Sequence, residues 1–130
     1  MKKSKEINIA EAFGATDGRD QRFAIYIPNK DKHGKHVDQE KWINKTLMLL
    51  SEICGGATVM PPVRGAWLNQ ESKGLVIEEP VLVYTFIEPH NFAKRMSEIK
   101  DLMHEIGKKT RQGQMAFEFN QTFYLIDIEK

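Results

Sequence analysis

Cysteine is almost missing from this chain: Cys54 is the only one, and a lone thiol cannot close an internal disulfide. That fits a reducing compartment and excludes the stapled folds of small secreted domains. Long apolar runs are missing as well, and stretches such as Val81–Val83 are far too short to cross a bilayer. Met1-Lys-Lys-Ser-Lys-Glu6 is basic, but no apolar stretch follows it, so neither a signal peptide nor a membrane anchor is expected and the chain is expected in the cytoplasm. No charge of one sign dominates. Nineteen basic and 18 acidic side chains leave a net +1, so no bulk field draws the molecule to nucleic acid or an anionic membrane. Nucleic acid is therefore not an expected partner unless a local patch supplies the charge.

What is present is globular: 41% hydrophobic and 28% charged residues over 130 positions, enough for one domain with a real core. Residues 1–21 mix charge with Gly14 and Gly18 and show little periodicity. They read as an N-terminal arm, with Ile7, Ile9, Ala10 and Phe13 able to form a short strand or lie across the core. The domain proper is read as 22–130. Arg22 to Pro28 alternates, with Phe23, Ile25 and Ile27 on one face and Ala24 and Tyr26 on the other, which is a strand. Asp38 caps a helix whose Trp42, Ile43, Thr46, Leu47, Leu50, Ile53 and Cys54 form one stripe, stopped by Gly55-Gly56. A strand is predicted within 57–69, at a sheet edge because Pro61-Pro62 cannot donate to a ladder. Leu75 to Ile87 returns as its hairpin partner, with a bend at Glu79-Pro80. A second helix opens at Pro89-His90-Asn91, capped by His90 or Asn91, carries Phe92, Met96, Ile99, Met103 and Ile106 inward, and ends at Gly107 or Gly113. Met115, Phe117 and Phe119 alternate briefly, and Thr122 to Ile128 is predicted as the last strand.

Strand, helix, strand, strand, helix, strand is a ferredoxin-like β-α-β-β-α-β order: an α+β fold with an antiparallel sheet and two helices on one face. In it the first and third strands are central and the second and fourth lie at the edges. Two helices cover only one face, so the other face is informative. Assigned to it are Tyr26, Leu82, Tyr84, Phe86, Tyr124 and Ile126, with Phe123 and Leu125 on the helix side. Such a face, if bare, is an unusually large apolar patch. A second copy, the arm, or a ligand could cover it, and a homodimer is the first expectation.

Chemistry-bearing residues are few. Asp31-Lys-His33-Gly-Lys-His36-Val-Asp38 has ligand-type side chains, yet no second His or Cys cluster converges with it, so it reads as a solvated loop. No metal and no cofactor is expected. Lys30, Lys32 and Lys35 of that loop could touch phosphates, but the glycine pattern of a phosphate cradle is missing. Cys54 sits at the apolar end of a helix without a basic neighbour and reads as a buried structural thiol. Arg64, Trp67, Asn69, Glu78 and Glu79 flank the central hairpin, and Arg64, Trp67, Glu79 and His90 form the candidate ligand cleft. Arg64 could hold a carboxylate or phosphate, and one glutamate could act as a base. Adjacent strand residues face opposite ways, so only one of Glu78 and Glu79 can serve a given site.

Trp42 at the head of the first helix, Gly56-Ala-Thr-Val59, Gly65-Ala-Trp67, Gly74, Glu79-Pro80 and Phe119-Asn-Gln121 together resemble a small bacterial family of ferredoxin-like proteins. The likeness covers about 105 residues from Phe23 onward. It implies a fold and not an activity. The leading functional expectation is a non-catalytic binding or regulatory module, self-associating or meeting a protein partner through the aromatic sheet face. The alternative is a small enzyme or small-molecule binder with its cleft at the hairpin.

Overall fold

The structure, a computed structural model, describes residues 6–128; residues 1–5 and 129–130 lie outside it. The elements run α1 (Ile9–Ala12), β1 (Arg22–Ile27), α2 (Gln39–Cys54), β2 (Thr58–Val59), β3 (Gly65–Leu68), β4 (Leu75–Glu78), β5 (Val81–Phe86), α3 (Pro89–Lys109), β6 (Gln114–Phe119) and β7 (Thr122–Asp127). Five strands form one antiparallel sheet in the order β2-β5-β1-β6-β7, while β3 and β4 pair only with each other. Leaving aside the β3–β4 hairpin and β7, the remainder is the ferredoxin-like β-α-β-β-α-β unit, with β1 and β5 central and β2 at an edge.

Helix boundaries follow local chemistry. The Asp38 carboxylate accepts the Lys41 N–H at 3.2 Å, and Gly55, at φ +89°, closes α2 in the left-handed region where a Cβ is penalised. The cap of α3 is Glu88, not His90 or Asn91. Its carboxylate accepts the N–H groups of Asn91 (2.7 Å) and His90 (3.3 Å), and Pro89, lacking an N–H, fits the first turn. These bonds hold Glu88 below the usual carboxylate range, the Asn91 amide most strongly. Neither Gly107 nor Gly113 ends α3. The helix runs through Gly107 and stops at Thr110, followed by left-handed Arg111.

Ile25, Ile27 and Val83 from the central strands pack against Leu50 and Ile53 of α2 and Ile106 of α3, all essentially inaccessible. Burying each such side chain is worth roughly 1.5–3 kcal/mol, so this layer holds the sheet and helices together. Three sequence expectations need correction. Residues 57–69 do not make one strand, because Pro61-Pro62 divides β2 from β3. Between the pairs Val59↔Val83 and Gly65↔Glu78 the first strand uses residues 60–64 against 79–82, one residue more, which is a bulge. The fourth strand of the ferredoxin-like unit is β6, interior beside β1, and the stretch beginning at Thr122 is an added edge strand. The arm is neither strand nor core: it carries the short helix α1, none of whose residues is buried.

The added strand has a geometric consequence. β7 lies outside the strands against which α2 and α3 pack, and Tyr124 on its helix-side face is 43% exposed. The helix-side face of β7 is therefore left partly bare.

Candidate functional site

The β3–β4 hairpin projects from the main sheet and carries the candidate chemistry. Pairing places Gly65 opposite Glu78 and Trp67 opposite Val76, so Trp67 and Glu78 are diagonal neighbours on one face. The Trp67 indole Nε1 donates to Glu78 Oε1 at 3.3 Å. Gly65 contributes no side chain, and nothing lies within 4 Å of where its Cβ would be. The result is open space beside an indole, 50% exposed, and a half-buried carboxylate.

Of the cleft residues named from sequence, Arg64 and Glu79 flank the base of the hairpin and Trp67 lies within β3, and it is Glu78 that faces Trp67. Glu79 lies just past the end of β4, its N–H donating to Asn29 Oδ1 at 3.0 Å and its carbonyl accepting from Gln39 Nε2 at 3.2 Å. Arg64 is exposed just ahead of β3. His90 is exposed in the first turn of α3, beyond the far end of β5 from Glu79, about 20 Å of strand away. It does not join the others.

On the open face of the main sheet, Tyr26, Leu82, Tyr84 and Phe86 lie as expected, but Tyr124 and Ile126 do not. The Asn120-Gln121 turn pairs Phe119 with Thr122, which sets Tyr124 beside Phe117 and Ile126 beside Met115 on the helix side. Phe123 and Leu125 take the open face instead, a reversal by one residue that period-two patterning cannot resolve when both sets are apolar. The centre of this face is satisfied within the chain. The Tyr26 hydroxyl donates to Glu118, its ring meets Phe123 edge-on at 5.7 Å, and the Arg22 guanidinium lies 4.2 Å over Tyr84. Burial, then the bond to Glu118, pushes the Tyr26 phenol up to about 12. Glu118 went unnoticed in the sequence because nothing in its neighbourhood marks it as a partner for a residue 92 positions away.

Two recesses accompany these surfaces. An apolar groove of about 580 Å³ runs between α3 and β6–β7, lined by Phe23, Phe92, Met96, Phe117, Phe119 and Tyr124, with Lys100 and His104 at its rim. Of its aromatic residues, Phe23 and Phe92 had read as plain core from strand and helical spacing, and Tyr124 as part of the open sheet face. A smaller, more polar recess of about 450 Å³ lies where the arm meets the ends of α2 and β5. There Arg19 Nη1 donates to the carbonyls of Cys54 (2.6 Å) and Phe86 (3.2 Å).

In the 31–38 loop, Asp31 Oδ1 accepts the N–H groups of His33 (2.8 Å) and Lys35 (2.9 Å), so its carboxylate shapes the turn. The Lys35 amide is the main reason its carboxyl titrates below the ordinary range. Among the described residues no three His, Cys, Asp or Glu side chains gather as metal ligands, and no helix is long and apolar enough to cross a membrane. Cys54 is buried.

No family model and no curated protein matches the chain. Among solved structures, a phage SAM lyase in complex with S-methyl-5'-thioadenosine aligns with a TM-score of 0.60 and 18% identity, covering 85% of this chain and 92% of that one. A phage SAM lyase in its apo state aligns at 0.58 with 18% identity, covering 88% and 94%. The likeness is one of fold. The family resemblance read from short motifs accordingly holds at the level of a small α+β fold.

Proposed function

We propose that this chain is a small enzyme that binds an adenosine thioether and cleaves the corresponding sulfonium, S-adenosylmethionine, at the β3–β4 hairpin. The observation that carries the reading is the Trp67–Glu78 pair beside the bare Gly65. A sulfonium is a cation with no N–H to donate, so an aromatic face and a nearby anion are the groups that hold it. An indole hydrogen-bonded to a carboxylate supplies both and fixes the carboxylate's orientation. The phage SAM lyase with its bound S-methyl-5'-thioadenosine supports the substrate class, since its fold spans nearly all of both chains.

The chemistry balances without an added reagent. When the bond between sulfur and the amino-acid chain breaks, its electron pair stays on sulfur and yields the neutral thioether. The departing four-carbon fragment loses a proton from the carbon next to the one that held sulfur, the C–H electron pair forms a C=C bond between the two, and Glu78 is the base that takes the proton. Trp67 positions that base and faces the cation.

The test is to incubate the protein with S-adenosylmethionine and follow S-methyl-5'-thioadenosine chromatographically. Protein-dependent product is expected, with Glu78→Gln reducing turnover by about 100-fold or more while the fold persists. Trp67→Ala is expected to weaken binding of S-methyl-5'-thioadenosine by calorimetry. Neither product nor binding in the wild type would overturn the reading; binding without turnover would keep the ligand class and remove the lyase step.

A second reading is a binding module that self-associates or meets a protein partner through the open sheet face. It is favoured by Phe86, Phe123 and Leu125, each about half exposed there. It requires that Tyr84→Glu dissociate the assembly without unfolding the chain, and an unchanged assembly would remove it.

A further inference from the structure

A net charge of +1 conceals an uneven distribution, because the fold brings two basic segments together. The loop of residues 30–36, between β1 and α2, contributes Lys30, Lys32 and Lys35. The end of α3 and the residue beyond its cap contribute Lys108, Lys109 and Arg111. The Lys32 N–H donates to the Arg111 carbonyl at 3.1 Å, and Gln112 Nε2 donates to the Lys30 carbonyl at 2.7 Å, so the two segments are stitched side by side. Six of the chain's 19 basic side chains stand here against one of its 18 acidic ones, Asp31, and the rest of the chain is net negative. Five of the six are exposed, and Lys30 is partly so. Asp38 and Glu105 border the patch, the first accepting the Lys41 N–H and the second paired with Lys45 at 3.0 Å. A helix end favours cations in its last turn, which accounts for Lys108 and Lys109. It does not account for Arg111 beyond the helix, or for three loop lysines held against it.

The loop is fixed and its amides are spent. Asp31 N–H donates to the Lys35 carbonyl at 2.7 Å, and Gly34 N–H to the Asp31 carbonyl at 3.0 Å. The His33 and Lys35 amides go to Asp31 Oδ1. Every N–H from Asp31 to Lys35 is thus bonded within the chain, and no backbone cradle is left for a single phosphate. What remains is a spread of long cationic side chains on a rigid base, which suits a row of phosphates. Residues 30–36 and 108–112 include no Phe, Tyr or Trp to stack on an unpaired base. They include no aliphatic side chain to enter a lipid surface either.

We propose that this patch binds the phosphate backbone of double-stranded nucleic acid without reading its sequence. The lysines and Arg111 supply the charge, and His33 and His36, exposed in the same loop, add donors to phosphate oxygens. None of the hairpin residues takes part, so the binding does not depend on the ligand held there.

Fluorescence anisotropy of a labelled duplex of about 20 base pairs, titrated with the full chain, tests this. Binding is expected at about 50 mM salt and should fall toward 200 mM with a log–log slope of about −4, as roughly four to five neutralised phosphates require. Lys35→Glu/Lys109→Glu should weaken binding at least about tenfold and flatten the slope by about 2. Lys73→Glu/Lys94→Glu changes the net charge equally at exposed positions outside the patch, and is expected to cost much less. Both double variants should keep the wild-type response to S-methyl-5'-thioadenosine, which separates this result from the fate of the hairpin reading. No duplex binding at low salt would overturn the proposal, as would equal losses in the two double variants. Binding to phosphatidylserine vesicles but not to the duplex would overturn it in favour of a membrane surface.

Discussion

At the scale of single residues, function and stability rest on a few close approaches. Gly107 lies within α3, where a Cβ would come within 2.6 Å of Ile128 Cγ1 and Cδ1 and 3.0 Å of Met115 Cγ. The missing side chain lets the end of the chain pack against the helix. Gly107→Ala therefore opposes two effects: an overpacking cost of about 1–3 kcal/mol and a helix-propensity gain of about 1 kcal/mol. Overpacking wins, and the expected outcome is a net loss of about 1 kcal/mol in urea denaturation. In an Ile128→Ala background the obstruction is gone, and the same substitution is expected to stabilise by up to about 1 kcal/mol. Equal effects in both backgrounds would show that Ile128 is not the obstacle. The hairpin surface uses a glycine in a different way, since Gly65 leaves space opposite Glu78. Gly65→Val is expected to fill that space and weaken S-methyl-5'-thioadenosine binding at least about tenfold while leaving the helical circular dichroism unchanged, a β-branched residue being well suited to a strand.

At the scale of elements, α2 and the central strands were legible because each has one periodicity and firm punctuation. Asp38 and Gly55-Gly56 bound α2, and β1 alternates over its whole length. Two features were not legible. The facing of β7 was lost because Phe123 and Leu125 are as apolar as Tyr124 and Ile126, so alternation alone could not choose between them. Asn120 makes that choice. It sits at φ +54°, its N–H donates to the Arg22 carbonyl at 2.7 Å, and its Oδ1 accepts the Arg22 N–H at 2.8 Å. The motif Phe119-Asn-Gln121 thus has a physical role: it locks the β6–β7 turn onto the start of β1. Asn120→Ala should cost about 1–2 kcal/mol, losing the side-chain acceptor and placing a Cβ in the left-handed region without compensation. Asn120→Gly should cost less, because only the hydrogen bond is lost. The reverse order in thermal denaturation would refute this account. Of the proposed hairpin site, only Trp67 stood in the cleft expected from sequence; that cleft took Glu79 rather than Glu78, because which glutamate faces Trp67 depends on the register that follows the Pro61-Pro62 bulge.

At the scale of the whole molecule, a sheet of five strands under two helices leaves its second face open, and that face carries the second functional reading. Sequence patterning saw two apolar faces but could not see how the chain satisfies part of the second one, because Tyr26 and Glu118 meet only through the β1–β6 pairing. This pair also shapes stability against pH. The folded state holds the Tyr26 proton up to about 12, whereas the unfolded phenol releases it near 10.0. Between those values the folded state binds the extra proton. The contribution is therefore complete below pH 10 and is lost as pH rises through the folded value. At the acid end the signs are opposite. Glu88 and Asp31 are held below their ordinary values by backbone amides, and Glu98 by Arg95, so their contributions are present near neutrality and fade as pH falls through the depressed values. Stability is expected to form a plateau with two shoulders of different origin. Tyr26→Phe should lower the plateau through the lost bond to Glu118 and flatten the alkaline shoulder between pH 10 and 12. Glu88→Gln should flatten part of the acid shoulder and leave the alkaline one untouched. Urea midpoints across pH for the two variants would separate these contributions, and an alkaline shoulder unchanged in Tyr26→Phe would show that the buried phenol is not its source.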